Sequence, residues 1–131
     1  MEIPQKYKKL IPEPEPKEFP GFPAEPINNY WRYPRVVNGW WHKLSGSEQK
    51  VLDYILRHTW GYDKDYDAIS LTQFEKGIWS EKEHKWVDRG TGLDRKTIIK
   101  ALKGLVRKRF IIVEKKGKGK TTVYKLRIKE E

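Results

Sequence analysis

The chain has 131 residues and a mass of 15.7 kDa, enough for one domain around one small core. It contains no cysteine, which excludes disulfide frameworks, thiolate nucleophiles and cysteine zinc sites. Its net charge of +10 is unevenly placed: residues 1–94 hold 14 basic and 15 acidic side chains, whereas residues 95–129 hold 14 basic side chains and one acidic, Glu114. A basic surface confined to one third of a chain suits a polyanion. No apolar run nears the roughly 20 residues that span a bilayer. The opening MEIPQKYKKL lacks the apolar stretch of a signal peptide. A cytoplasmic protein, nucleoid-associated if it binds DNA, is the simplest expectation.

All eight prolines lie at or before position 34. Ile11 to Pro16 reads as an extended, polyproline-like segment, so residues 1–27 are expected to form a Pro-rich, largely disordered arm. The folded domain is expected over 28–129. Phe19, Phe22, Tyr30, Trp31 and Tyr33 imply that part of the arm packs on the domain. Val36 to His42 reads as a short apolar helix or turn. Ser45 with Glu48 forms a capping box, opening a helix over about 46–60. Val51, Leu52, Ile55, Thr59 and His58 fall on its inner side, and Gly61 supplies the stop. Ala68 to Leu71 reads as a very short strand. A second capping box, Thr72 with Glu75, opens a short helix carrying Phe74.

Gly77 to Gly90 is the least readable stretch and is taken as an insertion between the second and third helices. Trp79 and Trp86 anchor it, and Ser80 with Glu83 has the spacing to cap one helical turn. Thr91-Gly92-Leu93 is a tight turn before Asp94, a good N-cap. In the helix that follows, Ile98, Ala101, Leu102 and Leu105 share one side at helical spacing, and Lys96, Lys100, Lys103 and Arg107 share the other. From Arg95 to Arg109 there are seven basic residues and no acidic one. Like charges four apart repel, which a bound polyanion relieves. Phe110 to Val113 and Thr121 to Ile128 read as two strands joined by a lysine-rich, glycine-bearing tip. Helix, short strand, helix, helix, hairpin predicts a mainly α fold with a small β-hairpin, the winged helix-turn-helix.

In that fold the third helix enters the major groove and the wing meets the flanking backbone. Arg95, Lys96, Thr97, Ile99, Lys100, Lys103 and Arg107 are the candidate DNA-binding residues of the helix. The N-terminal group reads base edges, and Arg107 serves the backbone. Ile99 has an alternative place at the edge of the core, and Thr97 more commonly bonds its own helix. Lys115, Lys116, Lys118 and Lys120 are the wing candidates, suited to phosphate contacts that position without specifying.

Other chemistries find little support. Gly119-Lys120-Thr121 mimics the end of a phosphate loop, but the required earlier glycine falls on Glu114. Asp63, Asp65 and Asp67 mimic a calcium loop whose glycine and closing glutamate positions hold Ala68 and Phe74. His42, His58 and His84 lack metal-ligand spacing. No nucleophile with a base and an orienting group is recognisable, so no catalytic residue, metal or cofactor is expected. His58 is expected to be a hydrogen-bonded core histidine. The six tryptophans are expected to fill the core rather than stack on single-stranded bases.

Tyr30-Trp31-Arg32-Tyr33-Pro34, Leu44-Ser45-Gly46-Ser47-Glu48 and His58-Thr59-Trp60-Gly61-Tyr62 form an ordered set. They are joined by Ile69-Ser70-Leu71-Thr72-Gln73-Phe74 and Thr91-Gly92-Leu93-Asp94-Arg95-Lys96-Thr97. Over roughly residues 28–128 the set resembles the N-terminal domain of bacteriophage replication protein O. The resemblance implies a winged helix that binds repeated origin sequences in double-stranded DNA, often as a homodimer, and helps recruit the replicative helicase or its loader. Lys96, Ile99, Lys100 and Lys103 occupy the positions that face DNA in such a domain. The family also has a partner-recruiting region downstream, so this chain is expected to be a fragment or a stand-alone relative. Two other readings stay open at this stage: a transcriptional regulator with the same domain, and a protein-interaction module that recruits helicase or loader.

Overall fold

A computed structural model describes residues 18–25, 28, 30–115, 117 and 119–129. Of the arm expected to be disordered over 1–27, residues 1–17, 26 and 27 lie outside the described residues, as do the wing residues Lys116 and Lys118. Phe19 and Phe22 meet each other edge-on at 5.0 Å and stay exposed, so they do not pack on the domain. Trp31 and Tyr33 do pack against the core. Arg35–Lys43 forms a 3₁₀ helix.

Helix α1, Gly46–His58, begins as its sequence dictates. Ser45 Oγ accepts from the Glu48 N–H at 3.1 Å, and Glu48 Oε1 accepts from the Ser45 N–H at 2.8 Å. Two otherwise unpaired amides are thereby satisfied. Val51, Leu52 and Ile55 are buried, with Tyr54, Leu56 and His58 widening the inner face. The helix stops before Gly61. The Thr59 hydroxyl donates to the Ile55 carbonyl, and Trp60–Tyr62 makes a 3₁₀ turn closed by Asp63 at φ 57°.

Strand β1 is Tyr66–Ala68, two residues ahead of the expected Ala68 to Leu71. Ile69 plugs the core, and Leu71 already opens helix α2, Leu71–Lys76. Its cap is Ser70, whose Oγ accepts from the Gln73 N–H at 3.0 Å. Thr72 and Glu75, the expected capping box, turn outward to another partner described below.

The segment 77–90 is a second β-hairpin. Strands β2, Ile78–Ser80, and β3, Lys85–Asp88, pair antiparallel, with Trp79 opposite Trp86. Ser80 Oγ accepts from the Glu83 N–H at 3.1 Å, but in the hairpin turn and not in a helical one. At the base, Gly77 (φ 90°) and Gly90 (φ 77°) bring two backbones so close that a Cβ on either would strike main-chain atoms. Thr91 then returns to the end of α2: its N–H and its hydroxyl both donate to the Phe74 carbonyl, at 2.7 and 2.8 Å. The insertion therefore loops out and back without separating α2 from the next helix.

Helix α3 is Arg95–Arg107, capped by Asp94, whose Oδ1 accepts from the Thr97 N–H at 2.8 Å. Ile98, Ala101, Leu102, Gly104 and Leu105 are buried, and α3 packs on α1 and α2. Strands β4, Ile111–Glu114, and β5, Val123–Leu126, pair with Val113 opposite Tyr124. β1 adds to the free edge of β5, with Ala68 opposite Val123, giving the sheet order β1-β5-β4. Phe74 and Tyr124 meet edge-on at 5.4 Å where sheet meets helices.

The expected class, a mainly α winged helix-turn-helix with a small β-hairpin, is thereby corrected. Of the described residues 41% are helical and 17% lie in strands, in two small antiparallel sheets, so the fold is mixed α/β. The missed strand content lies in short segments whose partners are distant or were not legible. The tryptophan expectation is also corrected. The buried core is built from valine, leucine, isoleucine, alanine, Phe74 and two tyrosines, and it contains none of the six tryptophans.

Candidate nucleic-acid interface

α3 presents its two faces as its spacing demands. With Ile98 and Leu105 wholly buried, Lys96, Lys100, Lys103 and Arg107 point outward and are exposed. Among the described residues none of the four makes a hydrogen bond or ion pair; the Asp94 carboxylate attracts Lys96, and Lys100, Lys103 and Arg107 have no acidic partner there. Thr97 and Ile99 are half-buried at the flanks of that row.

Arg95 is placed differently. Its Nε donates to Glu75 Oε1 at 2.6 Å and its Nη2 to Thr72 Oγ1 at 3.0 Å. The two residues expected to cap α2 instead hold the guanidinium and fix the start of α3 against α2. Arg95 thus differs from the outward lysines in being tied to α2. Lys108 is tied as well, donating to Glu48 Oε1 at 2.5 Å and to the Lys43 carbonyl at 2.8 Å.

The positive end of the α3 macrodipole is not itself an open anion site. Asp94 covers it, and hydrogen bonds from Thr97, side chain and then backbone, hold its carboxyl below the ordinary aspartate range. Anion attraction on α3 therefore falls to its lysine side chains.

Lys115 and Lys120 of the hairpin are exposed. Between the hairpin and the helices lies a cleft of about 310 Å³. Ser70 and Thr72 of the α2 start, Arg95 of the α3 start, and Lys120 with Thr121 of the hairpin line it. The start of α3 and the hairpin thus share one polar, cationic wall. A larger cleft, about 410 Å³, lies elsewhere, among Arg32, Trp60, Asp63 and Asp65. Arg32 pairs with Asp63 there, so its charge is already met.

His58 is a core histidine with a polar partner. Its Nε2 lies 3.2 Å from Asp88 Oδ2, and the Tyr54 hydroxyl donates to the other oxygen of that carboxylate at 3.0 Å. Burial lowers its pKa below the ordinary histidine value despite the opposing pull of Asp88, so the ring is neutral near pH 7. Among the described residues no group of three or more histidines and carboxylates is placed to hold a metal ion. No described helix is long and apolar enough to cross a membrane.

No protein-family model, curated protein or solved structure matches the chain.

Two features escaped sequence reasoning. Asp88 ties the inserted hairpin to α1, a link between residues 30 and more positions apart that no local pattern reveals. The second is Gly104, in the middle of α3. A Cβ there would strike the Glu48 carboxylate, so this glycine lets α3 pass directly over the α1 capping box. A glycine amid good helix formers was the available signal.

Proposed function

We propose that the chain binds double-stranded DNA in a sequence-specific manner, with α3 in the major groove and the β4–β5 hairpin on the flanking backbone. The observation that carries this reading is the row Lys96, Lys100, Lys103 and Arg107, exposed and making no hydrogen bond or ion pair among the described residues. An exposed helix normally mixes signs, and a helix of about 10–12 Å diameter fits the roughly 12 Å major groove. Lys96 and Lys100 donate to guanine N7 and O6, Ile99 offers an apolar contact to a thymine methyl, and Arg107, Lys115 and Lys120 take phosphates. Arg95 holds the helix at its working angle through Glu75 and Thr72.

The resemblance of the ordered motifs to bacteriophage replication protein O supports a place in replication initiation of a phage or mobile element, at repeated origin sites. Recruitment of helicase or loader, dimerisation on the repeats, and action in the cytoplasm at the nucleoid belong to the same proposal. The test is selection of bound duplexes from a random pool, followed by titration of the winning site at rising salt. A defined consensus and a log–log salt slope near −5, for about six neutralised phosphates, are expected. Recovery of no consensus, or affinity insensitive to salt, contradicts the proposal.

A further inference from the structure

The buried core leaves out the tryptophans, and two that are consecutive in sequence stand half-exposed on one segment that also carries exposed basic side chains. Trp40 and Trp41, 50% and 44% exposed, lie on the 3₁₀ segment Arg35–Lys43. Each is held by its edge. Trp40 meets the Phe110 ring edge-on at 6.4 Å, and Trp41 Nε1 donates to the Tyr33 hydroxyl at 3.5 Å, which itself donates to Asp53 at 2.5 Å. Lys108 pins the far end of the segment through the Lys43 carbonyl. The ordering of the indoles therefore precedes any binding event, and large apolar areas remain in contact with water.

The surroundings decide what such faces accept. Arg35, His42 and Lys43 are exposed on the same segment, and no acidic residue occurs from Arg35 to Ser47. A second copy of this surface meets its own positive charge, whereas a polyanion with flat apolar faces meets both features at once. Trp60, also exposed, shares its cleft with Arg32 and Lys64 but equally with Asp63 and Asp65, and so lacks an excess of positive charge.

We propose that Trp40 and Trp41 form a stacking shelf for the bases of single-stranded DNA, with Arg35 and Lys43 on its phosphates. The shelf is distinct from the outward face of α3 and does not depend on duplex recognition. Base–aromatic stacking of this kind is sequence-tolerant, because every base has a π-face. A protein with both surfaces holds a duplex site and an adjacent unpaired strand together.

The test uses the full chain and fluorescence anisotropy with a twenty-nucleotide oligothymidylate, the same-length abasic oligonucleotide, and a duplex. The unmodified protein is expected to bind the oligothymidylate at least tenfold more tightly than the abasic chain, which has the same charge without bases. Trp40→Ala is expected to weaken oligothymidylate binding about tenfold, the lower part of what one stacked base contributes. Trp40→Phe should restore most of it, and the duplex should respond less than twofold to either. Equal affinity of the unmodified protein for the oligothymidylate and abasic chains overturns the proposal, and needs no variant to fold. So does Trp40→Ala with unchanged oligothymidylate affinity. If that variant instead loses a dimer in sedimentation, the shelf joins copies and does not bind bases. Loss of duplex binding alone, with the base-dependent affinity intact, speaks against the α3 reading and leaves the shelf standing.

Discussion

Gly104 sits mid-helix, where glycine costs about 1 kcal/mol relative to alanine. That cost persists because the Glu48 carboxylate lies where a Cβ would be. Glu48 is not free to yield, since Ser45 N–H and Lys108 Nζ both donate to its Oε1. Gly104→Ala is therefore expected to destabilise by about 1 kcal/mol by denaturant unfolding, against the helix-propensity trend. In a Glu48→Ala background the same change should become stabilising, by up to about 1 kcal/mol. A stabilising Gly104→Ala in the otherwise unchanged chain contradicts this packing. Glu48 also carries a pH signature. Burial alone raises its pKa, but the Lys108 hydrogen bond and the Ser45 N–H outweigh it, leaving the carboxyl below the ordinary value. A depressed carboxyl stabilises above the unfolded value of about 4.3, and that contribution fades as pH falls toward the folded value. Glu48→Gln should flatten the loss of stability between about pH 5 and pH 3; an unchanged slope would place the acid sensitivity elsewhere.

At the scale of elements, the β2–β3 hairpin is attached in two ways. Its glycine base closes on itself, and Asp88 reaches α1 through Tyr54 and His58. Asp88→Ala strands a buried ring nitrogen and leaves the Tyr54 phenol with Gln73 alone, and is expected to cost about 1–2 kcal/mol. Excision of residues 78–89, joining Gly77 to Gly90, should cost no more than that single change and leave duplex affinity within twofold. A domain that fails to fold after excision would show that the hairpin is part of the scaffold. The elements that were legible are those with local rules. Ser45–Glu48, Asp94 and the Ile98–Leu105 stripe each announce a cap or a face within a few residues. β1 and the β2–β3 hairpin did not. Their strands are three or four residues long, and β1 exists because β5 offers an edge from more than fifty positions away. The Thr72–Glu75 spacing was legible but misassigned, because Ser70 sits two residues earlier and Arg95 takes both side chains.

Across the whole molecule, charge placement foretold an exposed cationic row, whereas hydrophobicity misplaced the tryptophans. The outward row on α3 followed directly from spacing, since helical period separates Lys96, Lys100, Lys103 and Arg107 from Ile98 and Leu105. Arg95 belonged to the same basic run, and no sequence rule distinguishes a guanidinium aimed at a groove from one locked to a neighbouring helix. The tryptophans read as core by composition, yet Ile, Leu and Val fill the small interior and leave indoles at its margin. The molecule presents a cationic helix face and a cationic hairpin, which we propose for a duplex, and a separate aromatic surface. The central claim is the division of labour between α3 and the hairpin, and titration of Lys100→Ala and Lys120→Ala against the selected duplex and a scrambled one tests it most directly. Lys100→Ala is predicted to lose about 1–3 kcal/mol on the selected duplex and much less on the scrambled one. Lys120→Ala should weaken both alike and reduce the salt slope by about 1. The same loss on both duplexes for both variants would contradict base reading by α3.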